Sequence, residues 1–88
     1  MKIIKIGAMW CPGCLVMNKI WNNIKNNYEI DILELDYDMD SDKVASYNVG
    51  QILPVIIFVS SKGEELERLI GEEKENVIVD RIEKYRGM

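Results

Sequence analysis

Lys2-Ile3-Ile4-Lys5-Ile6-Gly7-Ala8-Met9-Trp10-Cys11-Pro12-Gly13-Cys14 is the stretch whose reading decides the fold. Lys2 to Ala8 has the apolar character of a buried or half-buried strand and then gives way to a helical pattern, with the only two cysteines of the chain at the changeover. A disulfide needs Cα atoms roughly 4.4 to 6.8 Å apart, a separation the first turn of a helix supplies. The unpaired N–H groups of that turn also stabilise an attacking thiolate. Pro12 suits the first helical position, where its missing N–H costs nothing.

From Cys11 to about Tyr28, the residues Met17, Ile20, Trp21, Ile24 and Tyr28 fall at helical spacing, which predicts one helix of about 15 residues. Asn26-Asn27 can close it, and Ile30, Ile32, Leu33 and Leu35 predict a second strand that runs into the acidic stretch Asp36 to Asp42, read as a solvated loop. Strand, helix, strand in this order implies a right-handed parallel unit. Ser41 is the expected N-cap of a short helix through Val44, Ala45 and Tyr47, which Asn48 and Gly50 can end. Ile52-Leu53-Pro54 precedes the apolar strand Val55 to Val59; Ser60-Ser61-Lys62-Gly63 is a turn, and Glu64 to Ile70 predicts a hairpin partner that Gly71 stops. A last helix is expected to begin at Glu72-Glu73 and to bury Val77, Ile78, Ile82 and Tyr85.

Composition narrows the functional classes. The 88 residues suit one domain over 1–88 with a small core, and 48% apolar with 30% charged residues argues against disorder. Fifteen acidic against eleven basic residues give a net charge of −4, without the basic footprint that nucleic acid requires. No apolar run is long enough for a membrane span, and Lys5 interrupts what could pass for a signal sequence, so a cytoplasmic protein is expected. In that compartment a cysteine pair is expected to be catalytic or sensing.

The order of elements, Trp10-Cys11-x-x-Cys14 at the first strand-to-helix junction, Ile52-Leu53-Pro54 before an apolar strand, and Gly71 after the hairpin together resemble the thioredoxin superfamily from end to end. The resemblance implies an α/β minimal thioredoxin fold: a four-stranded mixed sheet of order 2-1-3-4 flanked by about three helices. It also implies a cis peptide bond before Pro54, with that proline facing the cysteines and the backbone beside it pairing with an extended substrate. The substrate groove is then expected from Trp10, Pro12, Gly13, Leu53, Pro54 and Gly71.

The reading of the cysteines makes Cys11 the attacking thiolate at the exposed helix start and Cys14, one turn inside, the more buried resolving thiol. The alternatives are inert cysteines or half of a zinc site. Zinc takes about four ligands, and with no histidine and no third cysteine only a dimer pooling its pairs could supply them. Two departures from the family stand out. Typical thioredoxins read C-G-P-C and typical glutaredoxins C-P-Y-C, whereas this chain has Pro12-Gly13 between its cysteines. Lys5 also occupies the position where thioredoxins carry a buried aspartate, and Glu34 aligns where they often carry lysine. The two charges are read as a partly buried pair, Lys5 favouring thiolate and Glu34, or water held by the pair, assisting proton transfer at Cys14. The competing reading extends Lys5 to solvent and leaves Glu34 an ordinary surface acid.

The resulting expectation is a monomeric thiol-disulfide oxidoreductase that reduces protein disulfides through Cys11 and Cys14, with no bound cofactor and no metal. Its partners would be disulfide-containing proteins and a reductase or low-molecular-weight thiol as electron donor. A glutaredoxin-like protein coupled to glutathione is the runner-up, although Leu53-Pro54 lacks the T-V-P usual there. A non-catalytic binding module using the groove around Trp10 and Pro54, with the cysteines as a redox switch, is the third reading.

Overall fold

The computed structural model describes residues 1–88. Its elements run β1 (Lys2–Gly7), α1 (Pro12–Val16), α2 (Asn18–Asn27), β2 (Asp31–Asp36), α3 (Ser41–Ala45), β3 (Val55–Val59), β4 (Glu65–Ile70) and α4 (Glu75–Tyr85). The strands form one sheet of order β2-β1-β3-β4, with β1 and β2 parallel and the other two pairings antiparallel. This is the minimal thioredoxin architecture that the resemblance implies.

Strand alternation sorts the core into two layers. Ile3, Ile56 and Phe58 pack with Met17, Trp21 and Ile24 of the first helical region and Ile78, Ile82 and Tyr85 of α4. Ile4, Ile6, Leu35, Val55 and Ile57 face the other way and meet Val44 of α3. Lys5 shares its face with Ile3, so its stem enters the layer that holds Trp21. Register then sets its partner, because Lys5 lies opposite Glu34 across the parallel β1–β2 pair. Glu67 of β4 fastens α4 to the sheet, accepting from Arg81 Nε at 2.8 Å and from the Tyr85 hydroxyl at 2.7 Å.

Four local expectations change. The predicted single helix is interrupted at Met17, although the Met17 N–H still reaches the Gly13 carbonyl and the Trp21 N–H reaches that of Met17, so hydrogen bonds remain on both sides of the bend. The bend lets Leu15 and Val16 face solvent while Met17 and Trp21 are buried. Ser41 is the first helical residue of α3 and Asp40 its cap, with no side-chain cap bond. Glu72 and Glu73 precede α4, whose cap is Lys74. The acidic stretch is not a loose loop: Asp36 Oδ1 accepts the N–H groups of Asp38 and Met39, and Asp40 Oδ2 accepts that of Asp36. Asparagine and glycine do their predicted work at Asn48 and Gly71, with φ of 54° and 91°. No helix is long and apolar enough to cross a membrane.

Candidate active site

β1 delivers the chain to a turn in which the Cys11 N–H bonds the Ala8 carbonyl at 3.2 Å, and Cys11 becomes the N-cap of α1 in extended conformation. Its Sγ accepts the Cys14 N–H at 3.2 Å, so the sulfur takes the place of the side-chain oxygen that usually caps a helix. Pro12 follows at the first helical position. Both cysteines are free thiols. Their burial reverses the expectation: Cys11 is only 3% exposed, whereas Cys14 is half-buried. Capping explains the reversal, because it folds the Cys11 sulfur back toward the helix start. Cys14 stands against Gly7, where a Cβ would lie 3.0 Å from its Sγ, so the absence of a side chain there lets the sulfur pack this close to β1.

The two thiols thus line different concavities. Cys11 lines an outer groove with Trp10, Pro12, Gly13, Gln51, Ile52, Leu53, Gly71 and Glu72. Cys14 lines an inner cavity of about 230 Å³ together with Lys5, Gly7, Trp21, Glu34, Asp36 and Pro54. The Leu53–Pro54 peptide bond is cis. Pro54 is buried against the motif, its Cδ 3.5 Å from where a Cβ on Gly13 would stand, and its carbonyl accepts the Gly71 N–H at 2.8 Å. Leu53 lies outside the strands, and its N–H and carbonyl make no backbone hydrogen bond within the chain.

Burial pushes the Cys14 thiol up to about 11, and its hydrogen bond to Cys11 and the neighbouring charge of that residue push the same way. A backbone hydrogen bond from Ala8 and the charge of Lys5 oppose the rise. Lys5 Nζ lies 3.0 Å from Glu34 Oε1 and 4.8 Å from the centroid of the Trp21 ring, with 17% of its side chain exposed. The pair read from the sequence is therefore present. It has a third member the sequence reading missed, since Lys25 Nζ reaches the same oxygen at 3.1 Å. Hydrogen bonds from Lys5 and then Lys25 hold the Glu34 carboxyl below the usual range, so at neutral pH it is ionised and a weak proton acceptor.

Trp10 is 58% exposed, and its Nε1 donates to Asp38 Oδ2 at 2.6 Å while its ring meets Tyr37 edge-on. Besides Lys25, three site neighbours escaped the sequence reading: Asp38, Gly7 and Glu72, whose Cγ would lie 2.7 Å from a Cβ on Gly13. Only Gly7 carried a signal, a glycine closing a strand where another group approaches. Gly7→Val is expected to displace the Cys14 sulfur and slow closure of the Cys11–Cys14 disulfide by about tenfold, measured by the rate of oxidation of the reduced protein.

The thioredoxin family model matches residues 1–84. A thioredoxin from Staphylococcus epidermidis is 30% identical over 79 residues, 86% of this chain and 74% of that one. Among solved structures, thioredoxin NaTrxh from Nicotiana alata superposes with a TM-score of 0.82 at 29% identity, over 96% of this chain and 73% of the other. Thioredoxin 1 from the thermophile Thermosipho africanus gives a TM-score of 0.84 at 24% identity, over 99% and 96% of the two chains. With the family's pattern running almost its full length and its two cysteines at the active-site position, the chain belongs to the thioredoxin family of thiol-disulfide oxidoreductases.

Proposed function

We propose that residues 1–88 act as one thioredoxin-like domain that reduces protein disulfides, with Cys11 attacking and Cys14 resolving. The hydrogen bond from the Cys14 N–H to Cys11 Sγ carries this reading, because a helix-start N–H aimed at that sulfur is the contact an attacking cysteine uses. The raised Cys14 thiol supports it from the other side: at neutral pH Cys14 stays protonated until it is needed. The free N–H and carbonyl of Leu53 can pair with an extended substrate segment and bring its disulfide onto the outer groove, with Trp10, Pro12, Gly13, Pro54 and Gly71 around it.

The steps balance as two exchanges. Cys11 thiolate attacks one substrate sulfur, forming a mixed disulfide and expelling the other substrate sulfur as a thiolate that takes a proton from solvent. Cys14 then loses its proton and attacks Cys11 Sγ; the mixed disulfide breaks, the second substrate thiolate leaves, and the Cys11–Cys14 disulfide holds the two-electron oxidation. A reductase or small thiol returns those electrons, and no bound cofactor enters either exchange. Lys5 lowers the cost of Cys14 thiolate, Glu34 and Trp21 hold Lys5 in place, and the inner cavity is large enough to admit the water that takes the proton. Glu34 is thus a positioning residue for Lys5, and of the two proton acceptors the sequence offers, Glu34 or water held by the pair, the water takes the proton. Lys5→Met is expected to slow resolution about two- to fivefold at neutral pH and to shift its pH profile upward. Glu34→Gln should shift the profile the other way by uncovering the lysine charge; unchanged Cys14 reactivity between about pH 6 and pH 9 in both variants removes the pair from the mechanism.

Turnover decides between an enzyme and a redox-switched module. The wild-type protein is expected to accelerate the reduction of insulin by dithiothreitol and to reduce small glutathione mixed disulfides poorly. Failure on insulin with efficient glutathione-dependent reduction of hydroxyethyl disulfide would establish the glutaredoxin-like alternative, and failure on both would establish the module.

A further inference from the structure

Among the residues lining the outer groove, Glu72 alone carries a charge. Its side chain lies over Gly13, where a Cβ would stand 2.7 Å from its Cγ and 3.3 Å from its Cδ. The glycine between the cysteines therefore makes room for a carboxylate at the mouth of the dithiol. Glu72 is exposed and takes part in none of the chain's side-chain hydrogen bonds or ion pairs. Asp38, the acid beside Trp10, is by contrast occupied by the indole N–H. The rest of the groove is apolar or neutral, so the one free charge decides which substrate charge is welcome.

We propose that Glu72 is a specificity determinant that selects disulfides flanked by lysine or arginine and disfavours those flanked by acidic residues. The inference rests on the reading of the outer groove as the substrate site. A cation next to the substrate cysteine meets the Glu72 carboxylate and offsets its repulsion of the anionic sulfurs that form during exchange. An acidic neighbour adds to that repulsion. The groove's occupant is thus an extended, cationic, disulfide-bearing segment of a protein. The chain's net charge of −4 favours the encounter as well, but only the placement of Glu72 makes the selection local.

Three peptides that share one disulfide and differ only in the residue after the cysteine, lysine, glutamine or glutamate, test this at low and high salt. The wild-type protein is expected to show a kcat/KM for the lysine peptide about three- to tenfold above that for the glutamate peptide, with the ratio shrinking as salt rises. Glu72→Gln should bring the ratio close to one, Glu72→Lys should invert it, and Glu64→Gln, which removes one exposed charge from the distant turn before β4, should leave it unchanged. A ratio unmoved by both Glu72 variants overturns the assignment, as does an equal fall in Glu64→Gln, which would make it an effect of net charge. The glutamine peptide keeps the two readings separable: its reduction by the wild-type protein and not by Cys11→Ser upholds the groove whatever happens to the ratio, and its failure removes the groove.

Discussion

Cys11→Ser is expected to reduce insulin no faster than dithiothreitol alone, a loss of at least about a thousandfold in protein-dependent turnover. A serine hydroxyl at this position has no accessible anionic form and forms no disulfide, so neither exchange begins. Cys14→Ser is expected to fail differently. Its Cys11 still attacks, the mixed disulfide has no internal thiol to break it, and a covalent adduct with the substrate accumulates at one equivalent. Non-reducing gel electrophoresis and intact mass measurement read this directly. An adduct in Cys11→Ser and none in Cys14→Ser would reverse the two roles. For the native pair, the Cys14 thiol at about 11 predicts that the resolving step speeds up by roughly tenfold per pH unit through the neutral and mildly alkaline range. The sign follows from a raised pKa: the proton is held in the resting state and must leave before attack, so higher pH increases the reactive fraction.

Trp21→Ala is expected to lower stability by about 3 to 5 kcal/mol, the range for emptying a large aromatic site in a core. Trp21 is 2% exposed and joins Ile3, Met17, Ile56 and Phe58 beneath the bend between α1 and α2. A domain of this size has roughly 4 to 13 kcal/mol to lose, so the variant should lie near the edge of folding at 37 °C. The indole is also the platform for the Lys5 ammonium, whose loss leaves a half-buried cation with Glu34 as its remaining partner. Urea denaturation followed by circular dichroism measures the change, and a fall below about 1 kcal/mol would mean that the ring is not part of the core. Trp10→Ala gives the contrast: the exposed ring contributes to the groove, so it should leave stability within about 0.5 kcal/mol and raise KM.

The strand pattern was legible because burial in a small sheet leaves a strong periodic signature. Val55 to Val59, apolar at every position, is the central strand β3 with the boundaries read from sequence. Sheet order and the cis bond before Pro54 came from the resemblance, since nothing in the local residues distinguishes one X-Pro bond from another. Lys5 and Glu34 were legible as a pair because parallel register places them side by side, while Lys25 was not, because its reach from α2 depends on the tertiary packing of that helix. The helix starts slipped where no side chain makes a cap hydrogen bond: Asp40 rather than Ser41 precedes α3, and Lys74 rather than the Glu72-Glu73 pair precedes α4. The burial of Cys11 illustrates the limit most clearly. Position at a helix start suggested exposure, but an N-cap side chain turns inward to find the helix's own N–H groups, and a cysteine there hides its sulfur by accepting one of them.

That inward turn sets accessibility, which alone favours Cys14, against the burial that holds the Cys14 proton and the backbone N–H that donates to the Cys11 sulfur. Limited iodoacetamide labelling of the reduced protein at about pH 7, with the modified cysteine identified by peptide mass spectrometry, separates the two. Cys11 is expected to be alkylated first, by at least about a hundredfold over Cys14. Preferential labelling of Cys14 would contradict it.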